Sequence, residues 1–169
     1  IFKDSTEIKW DVKNFEEQTI VTNYLKKTLN KYLKCVNISK SKTIRAGKLL
    51  HLKTLLSGTL KSIPNGFKDL LHDVHPTPAV CGTPKKAAMA FIRDYEPIDR
   101  SYYSGFLGEI RYDSNPKFQY ANLVVNLRCM QLYEKTAKLY AGGGITDKSI
   151  PENEWEETEA KIQTLKFVF

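Results

Sequence analysis

Between Phe15 and Leu33, apolar side chains recur at Ile20, Val21, Tyr24, Leu25, Leu29, Tyr32 and Leu33, the spacing of an amphipathic helix. His51 to Leu60 mixes apolar and polar residues and ends at turn formers, which predicts an extended segment. Gly66 to Val74 reads as a short helix that stops before His75-Pro76-Thr77-Pro78, where two prolines exclude helix. Thr83-Pro84 opens the next helix, with Thr83 as N-cap and Pro84 at the first helical position, running to about Tyr95. Three strands follow: Tyr103–Tyr112, Phe118–Tyr133 (long enough to hold a bulge) and Thr136–Tyr140. Asp113-Ser114-Asn115-Pro116 and Glu134-Lys135 supply the turns between them. After Gly142-Gly143-Gly144 a last helix begins near Ser149-Ile150-Pro151-Glu152, at capping-box spacing. Strands gather in the second half with helices flanking them. The pattern is α+β with an antiparallel sheet, and not an alternating parallel α/β fold.

Composition narrows this picture. The chain has 169 residues, 41% of them hydrophobic, enough for one globular core, with no internal repeat or linker-like stretch. No apolar run approaches the ~20 residues of a membrane-spanning helix. The chain opens Ile1-Phe2-Lys3-Asp4, without an initiator Met or a secretion signal, so upstream sequence is expected to be missing. Cys35, Cys81 and Cys129 are odd in number, far apart and outside any zinc-ligand spacing, as expected for reduced thiols of a cytoplasmic protein.

Lys+Arg 26 against Asp+Glu 19 gives +7, which points to an anionic partner, either nucleic acid or a small polyanion. The basic residues concentrate at Lys26, Lys27, Lys31, Lys34, Lys40, Lys42, Arg45 and Lys48, on or just after the first helix. They would form its solvated face. Aromatics are sparse there and no RNP-like run occurs, so neither a nucleic-acid nor a membrane partner is expected.

Three features depart from a plain structural pattern. Glu17 shares a helix face with Val21 and Tyr24, and a carboxylate there costs several kcal/mol unless a cation or donors offset it. It is an edge residue, a residue paired with a lysine, or a ligand. On the last helix Glu154, Glu157 and Lys161 fall at i, i+3 and i+7 on one face, with Trp155 and Ile162 marking another stripe. Those carboxylates serve either the helix dipole and an ordinary i,i+4 pair of Glu157 with Lys161, or a hard cation such as Mg²⁺, which prefers oxygen ligands and keeps several waters. The third feature is a set of anion-binding elements. Gly82-Thr83-Pro84-Lys85-Lys86 places N–H groups and lysines at a helix start, and Tyr140-Ala141-Gly142-Gly143-Gly144 lets backbone approach a ligand. Arg128, in an otherwise apolar strand and on one face with Asn126, could clamp a carboxylate bidentately. His51 and His75 read equally well as hydrogen-bonded structural groups.

The order and wording of six segments resemble the chorismate-utilising enzymes, the isochorismate, salicylate, anthranilate and aminodeoxychorismate synthases. They are Lys13-Asn14-Phe15-Glu16-Glu17-Gln18, His51-Leu52-Lys53-Thr54, the run from His75 to Pro84, Asn126-Leu127-Arg128-Cys129, Tyr140 to Ile145, and Pro151 to Lys161. The resemblance covers residue 12 to near the C-terminus. It implies that residues 1–169 are the C-terminal portion of that catalytic domain, with the N-terminal part missing, in a fold of antiparallel sheet flanked by helices.

It also implies roles. Glu17 and Glu157 match Mg²⁺ ligands, and Glu154 matches the acid supporting the metal's waters. His51 matches the histidine near the departing 4-hydroxyl. Arg128, Tyr140, Gly142, Gly143, Gly144 and Lys161 match positions that bind the substrate's carboxylates. Asn14 stands where many relatives have an acid, which departs from the pattern around the metal.

Ala79 is the substrate-side discriminator. Ammonia-using and salicylate-forming relatives carry Thr there, and Ala resembles the isochorismate synthases, as do Glu96-Pro97-Ile98-Asp99-Arg100 and Tyr102-Tyr103-Ser104-Gly105. By resemblance the reaction converts chorismate to isochorismate, for menaquinone or a catechol siderophore. Water adds at ring C2 while the 4-hydroxyl leaves, by general base and acid catalysis. The family's base (a lysine) and acid (a glutamate) lie upstream of Ile1, so little or no turnover is expected from this stretch alone. Apolar surface left uncovered would favour self-association. The alternatives are a sister enzyme of the family, a non-catalytic basic binding module, or a scaffold remnant.

Overall fold

The computed structural model describes residue 10 and residues 12–46, 49–62, 66–114 and 117–166. Lys48, the chain's first residues and the Asn115-Pro116 half of the predicted turn lie outside them. The chain divides into two compact units, residues 1–85 and 86–169.

The first unit is built on α1 (Val12–Tyr32), which starts three residues earlier than its apolar spacing indicated. Its face with Thr28 and Tyr32 is buried, and it packs against α2 (Gly66–Val74) and α3 (Pro78–Cys81). The boundaries of α2 are those predicted. α3 was not expected, because prolines at 76 and 78 were read as excluding helix. Pro78 occupies the first helical turn, where its missing N–H costs nothing. Four short strands accompany the helices: β1 (Asn37–Ile38), β2 (Lys42–Ala46), β3 (Leu49–Lys53) and β4 (Leu56–Ser57). They form antiparallel pairs β1–β4 and β2–β3. The extended reading of 51–60 therefore holds in two pieces, and strands are not confined to the second half. Lys26, Lys27, Lys31 and Lys34 are exposed on or after α1, whereas Lys42 and Arg45 lie on β2 and not on a helical face.

The second unit opens with α4 (Lys85–Tyr95), whose first residue closes the first unit. Pro84 was expected inside this helix and instead precedes it. Two hairpins follow, β5 (Phe106–Tyr112) with β6 (Phe118–Val125) and β7 (Cys129–Leu132) with β8 (Ala137–Tyr140). The predicted single strand 118–133 is thus two strands. Asn126-Leu127-Arg128 breaks it, with Arg128 in the left-handed region at φ 47°. Asn126 explains the break: its N–H donates to Gly105 O (2.9 Å), its carbonyl accepts from Ser104 N (2.8 Å), and its Nδ2 donates to Tyr102 O (2.9 Å). The ladder partners of β6 are exchanged there for a turn. The start of the predicted strand 103–112 becomes that turn for the same reason.

α5 (Pro151–Lys166) closes the unit. Ser149 does not form the expected capping box. Its Oγ accepts the Thr146 N–H at 3.0 Å, and the helix begins two residues later. Trp155 is 68% exposed, so the stripe drawn through it and Ile162 is not a core face. Among the described residues the buried apolar side chains are Tyr32, Cys81 and Tyr140. β5 is exposed along its whole length. The fold is α+β with antiparallel pairs flanked by helices, as the patterning indicated.

Candidate functional site

Six segments singled out in the sequence fall three to each unit. In the first, α1 carries Glu17, and the next residue, Gln18, donates from Nε2 to Thr54 Oγ1 (2.8 Å). That bond joins the segment around Glu17 to His51-Leu52-Lys53-Thr54. His51 lies on β3 opposite Ile44 and is half-buried. Trp10 Nε1 donates to Thr43 Oγ1 (2.8 Å), so β2 is tied to the start of α1 as well. Glu17 lies 3.8 Å from Lys13 Nζ, one turn back, and has one oxygen, Oε1, shut off from solvent. Lys13 is thus the lysine neighbour of Glu17. Asn14 is half-buried three residues before it. The third segment, His75 to Pro84, reaches α1 through α3, on which Ala79 is exposed.

Lys85 was grouped with anion-binding elements. Its ammonium is instead spent within the protein: it donates to Tyr24 Oη (3.2 Å) and to the carbonyls of Asp73 (3.3 Å) and His75 (3.0 Å). Carbonyls at a helix C-terminus attract cations, and Lys85 reaches one in the last turn of α2 (Asp73) and the one just past its end (His75). Asp73 adds a second tie. Its carboxylate accepts from Lys31 Nζ and Tyr32 Oη, both at 2.9 Å. The Lys31 bond, then the Tyr32 bond, holds the Asp73 carboxyl below its ordinary range. Burial beside Asp73 pushes the Tyr32 phenol up.

The second unit assembles the other three segments around a glycine loop. Lys161 donates to Gly142 O (2.9 Å) and meets Glu157 Oε1 at 2.5 Å, so α5 grips the loop. A Cβ added at Gly143 would stand 3.5 Å from Glu154 Oε2, 3.9 Å from Glu157 Oε1 and 4.0 Å from Lys161 Nζ. The bare glycine thus faces two carboxylates and an ammonium across a space one methyl would fill. Glu154 is 7% exposed, with Oε2 shut off from solvent. Gly144 follows, exposed, in the same loop.

Tyr140 is 6% exposed, and its hydroxyl donates to Gln131 on the neighbouring strand at 3.4 Å. Its ring stacks on Tyr103 (centroids 5.7 Å apart) and lies under Lys138 Nζ at 4.9 Å. Arg128 is half-buried in the break that precedes Cys129, the ladder partner of Tyr140.

Tyr103 was given no role from sequence. Its hydroxyl reaches the loop so closely that a Cβ at Gly142 would come within 2.5 Å of it. Burial raises the Tyr103 phenol, the nearby Arg100 lowering it in part. Arg100 stands over the ring at 5.9 Å, is held by Glu96 through a double hydrogen bond (2.6 and 2.5 Å) and reaches Ser104 Oγ (3.2 Å). Only the pairing of Tyr103 with the distant glycine loop gives it meaning, and no local pattern carries that.

The donor set suits a hard divalent cation. Glu154 and Glu157 offer carboxylate oxygens one turn apart beside the bare backbone of Gly143. Glu17 belongs to the first unit. Among the described residues no group of three His, Cys, Asp or Glu side chains is placed to hold a metal, so within a unit the carboxylates would leave coordination positions to water or substrate.

The family described as chorismate binding enzyme matches residues 4–168. The chain belongs to the chorismate-binding enzymes. It is 35% identical to the vibriobactin-specific isochorismate synthase of Vibrio cholerae over 156 residues, covering 90% of this chain and 38% of that protein. A crystal structure titled as a putative 2,3-dihydroxybenzoate-specific isochorismate synthase, DhbC from Bacillus anthracis, superposes with TM-score 0.82 at 34% identity, over 95% of this chain and 42% of the other. The menaquinone-specific isochorismate synthase MenF of Escherichia coli gives TM-score 0.78 at 28% identity, over 92% and 35%. The chain spans about two fifths of the length of the curated relatives it matches. Among the described residues of this chorismate-binding enzyme, no helix is long and apolar enough to cross a membrane.

Proposed function

We propose that the natural polypeptide carrying this sequence is an isochorismate synthase, which turns chorismate into isochorismate by adding water at C2 as the 4-hydroxyl leaves. The single observation that carries this is the arrangement of Glu154, Glu157 and Lys161 around the bare backbone of Gly143. It is a dense set of charged groups with room left for a ligand. The names of the relatives supply the reaction, and they include proteins specific for vibriobactin and for menaquinone.

In this reading the chain contributes the carboxylate- and metal-binding part of the site. Glu154 and Glu157 would hold Mg²⁺, whose charge would fix the substrate and offset its carboxylates. For Glu17, in its own unit, a Mg²⁺-ligand role rests on the family resemblance alone. Lys161, itself paired with Glu157, keeps Gly142 O turned toward α5, which leaves the following N–H groups for an anion. Arg128 offers a forked donor pair for a carboxylate. His51 stands for the group beside the departing hydroxyl. Tyr140, enclosed by Tyr103 and Lys138, supports the loop. Ala79 leaves space where a Thr hydroxyl would orient another nucleophile.

The general base and acid belong to sequence beyond this chain, so the chain alone has little or no turnover. Its exposed apolar positions favour self-association in isolation. The whole enzyme acts in the cytoplasm, where its cysteines stay reduced.

The test is chorismate turnover by the natural full-length polypeptide with Mg²⁺, products being separated by chromatography. Isochorismate is expected from the parent, with at least a hundredfold loss for Glu157→Gln and none from residues 1–169 alone. Salicylate or anthranilate as product would keep the family and reject the use made of Ala79. An intact parent that leaves chorismate unchanged would reject the enzymatic reading.

A further inference from the structure

The Ala79 loop leaves α2 at its C-terminus and returns at Lys85, and Lys85 bonds back to the start of it. Its Nζ reaches His75 O at 3.0 Å, Asp73 O at 3.3 Å and Tyr24 Oη at 3.2 Å, with the ammonium 5.8 Å from the centroid of the Tyr24 ring. Tyr24 Oη donates to Asp73 O at 2.5 Å. One side chain therefore closes the loop at both ends and fastens the closure to α1. Tyr24 lies seven residues from Glu17, two helical turns along the same face. Within the loop Val80 N and Cys81 N donate to Thr77 O, Gly82 N donates to Pro78 O, and the Cys81 thiol reaches Thr77 O and Gly82 O at 3.4 Å. A single turn of helix has little stability of its own.

We propose that Lys85 is a positioning residue, whose ammonium sets where the Ala79 loop stands relative to the Glu17 face of α1. This rests on the isochorismate synthase reading, in which Ala79 borders the reacting ring. A lysine suits the task because one ammonium has three donors, and three acceptors converge on it. Spending the charge on carbonyls also explains why this basic residue does not serve as an anion ligand. Misplacement of a site group by about 1 Å costs on the order of a hundredfold in rate. Loosening the loop should therefore reduce kcat and admit wrong products without disturbing α1.

The experiment uses the natural full-length polypeptide and two readouts. In Lys85→Met, hydrogen exchange at Val80, Cys81 and Gly82 should quicken at least tenfold while the α1 amides stay within twofold. Lys85→Arg, which keeps a cation for the carbonyls, should restore exchange to within threefold. With chorismate, Lys85→Met should lower kcat at least tenfold, raise the fraction of products other than isochorismate, and leave the Mg²⁺ requirement within threefold. Tyr24→Phe should give a smaller change of the same kind, and the double variant should be no worse than Lys85→Met alone. If Lys85→Met does not fold, the Tyr24→Phe single variant carries both readouts. Unchanged exchange in the loop, or unchanged kcat and product purity in a folded variant, overturns the proposal. If the unmodified enzyme does not consume chorismate, the isochorismate synthase reading fails, and the exchange readout still judges the clamp by itself.

Discussion

Replacing Gly143 by Ala separates the need for space at this loop from the need for a flexible backbone. The new Cβ would meet its nearest atoms at 3.5, 3.9 and 4.0 Å, which is ordinary van der Waals contact. Gly143 has no positive φ that would strain an L-residue. The fold therefore loses nothing by collision, while the unfolded chain loses freedom, worth about 0.4–1 kcal/mol in favour of the folded state. Against this stands some loss of hydration at Glu157 and Lys161, whose side chains are 48% and 21% exposed. The net change in unfolding free energy should lie between about −0.5 and +1 kcal/mol.

Cation binding should respond oppositely. The methyl fills the space between two carboxylate oxygens and an ammonium, where Mg²⁺ ligated by those oxygens would need to keep its waters. A tenfold or greater loss of Mg²⁺ affinity is expected, at least about 1.4 kcal/mol. Gly142→Ala makes the contrast, since its Cβ would collide with Tyr103 Oη at 2.5 Å. The ring is stacked on Tyr140 and cannot move freely, so overpacking should cost about 1–3 kcal/mol. Thermal unfolding without metal and calorimetric titration with Mg²⁺, both on the natural full-length protein, give the two quantities. A Gly143→Ala protein that binds Mg²⁺ within twofold of the parent would refute the reasoning. So would one destabilised as much as Gly142→Ala.

Two further outcomes follow from the geometry. Asp73 has its folded carboxyl held below the ordinary value near 3.8, first by Lys31 and then by Tyr32, so its stabilisation is present above that value and is lost as pH falls below it. Asp73→Asn should flatten the fall in thermal midpoint between about pH 4 and pH 2, and an unchanged slope would remove Asp73 from the account of acid sensitivity. Arg128→Gly should leave the midpoint unchanged or slightly raised, because φ 47° costs a non-glycine residue about 1 kcal/mol, while chorismate affinity falls at least tenfold. A midpoint lowered by several degrees would show that the guanidinium holds the fold and not the substrate.

The parts of the fold that could be read from sequence are those written in local periodicity. α1, α2 and α5 repeat their apolar or charged positions at helical spacing, which places α1 and α2 to within three residues and the start of α5 to within two. What escaped depends on partners distant in the chain. Asn126 breaks a strand because its backbone and side chain meet Tyr102, Ser104 and Gly105, more than twenty residues earlier, and nothing in Asn126-Leu127-Arg128 announces that. Proline disrupts a helix interior but is tolerated in a first turn, and α3 carries Pro78 there, so prolines at 76 and 78 do not exclude that helix. The grouping of Glu154, Glu157 and Lys161 was legible from i, i+3 and i+7 alone. That they face Gly143 was not, because the loop reaches them from across a hairpin.

The distribution of burial bears on which molecule should be tested. A two-stranded ribbon is marginal in water by itself, yet all four strand groupings among the described residues are pairs. β5 and β6 expose Phe106, Leu107, Ile110, Tyr112, Tyr120, Val124 and Val125. Free strand edges beside such a surface are sites of association. Each unit is instead held by polar ties at a few points: Asp73 and Lys85 on α1 in the first, Lys161 and Asn126 on the loop and turn of the second. Such ties fix orientation, but at about 1 kcal/mol net apiece they do not substitute for a buried core. The relatives that share this sequence pattern are some two and a half times longer. A loss of function measured on residues 1–169 would therefore confound a damaged site with an uncovered ribbon, and the substitutions at Gly143, Lys85 and Glu157 acquire their meaning only in the full-length polypeptide.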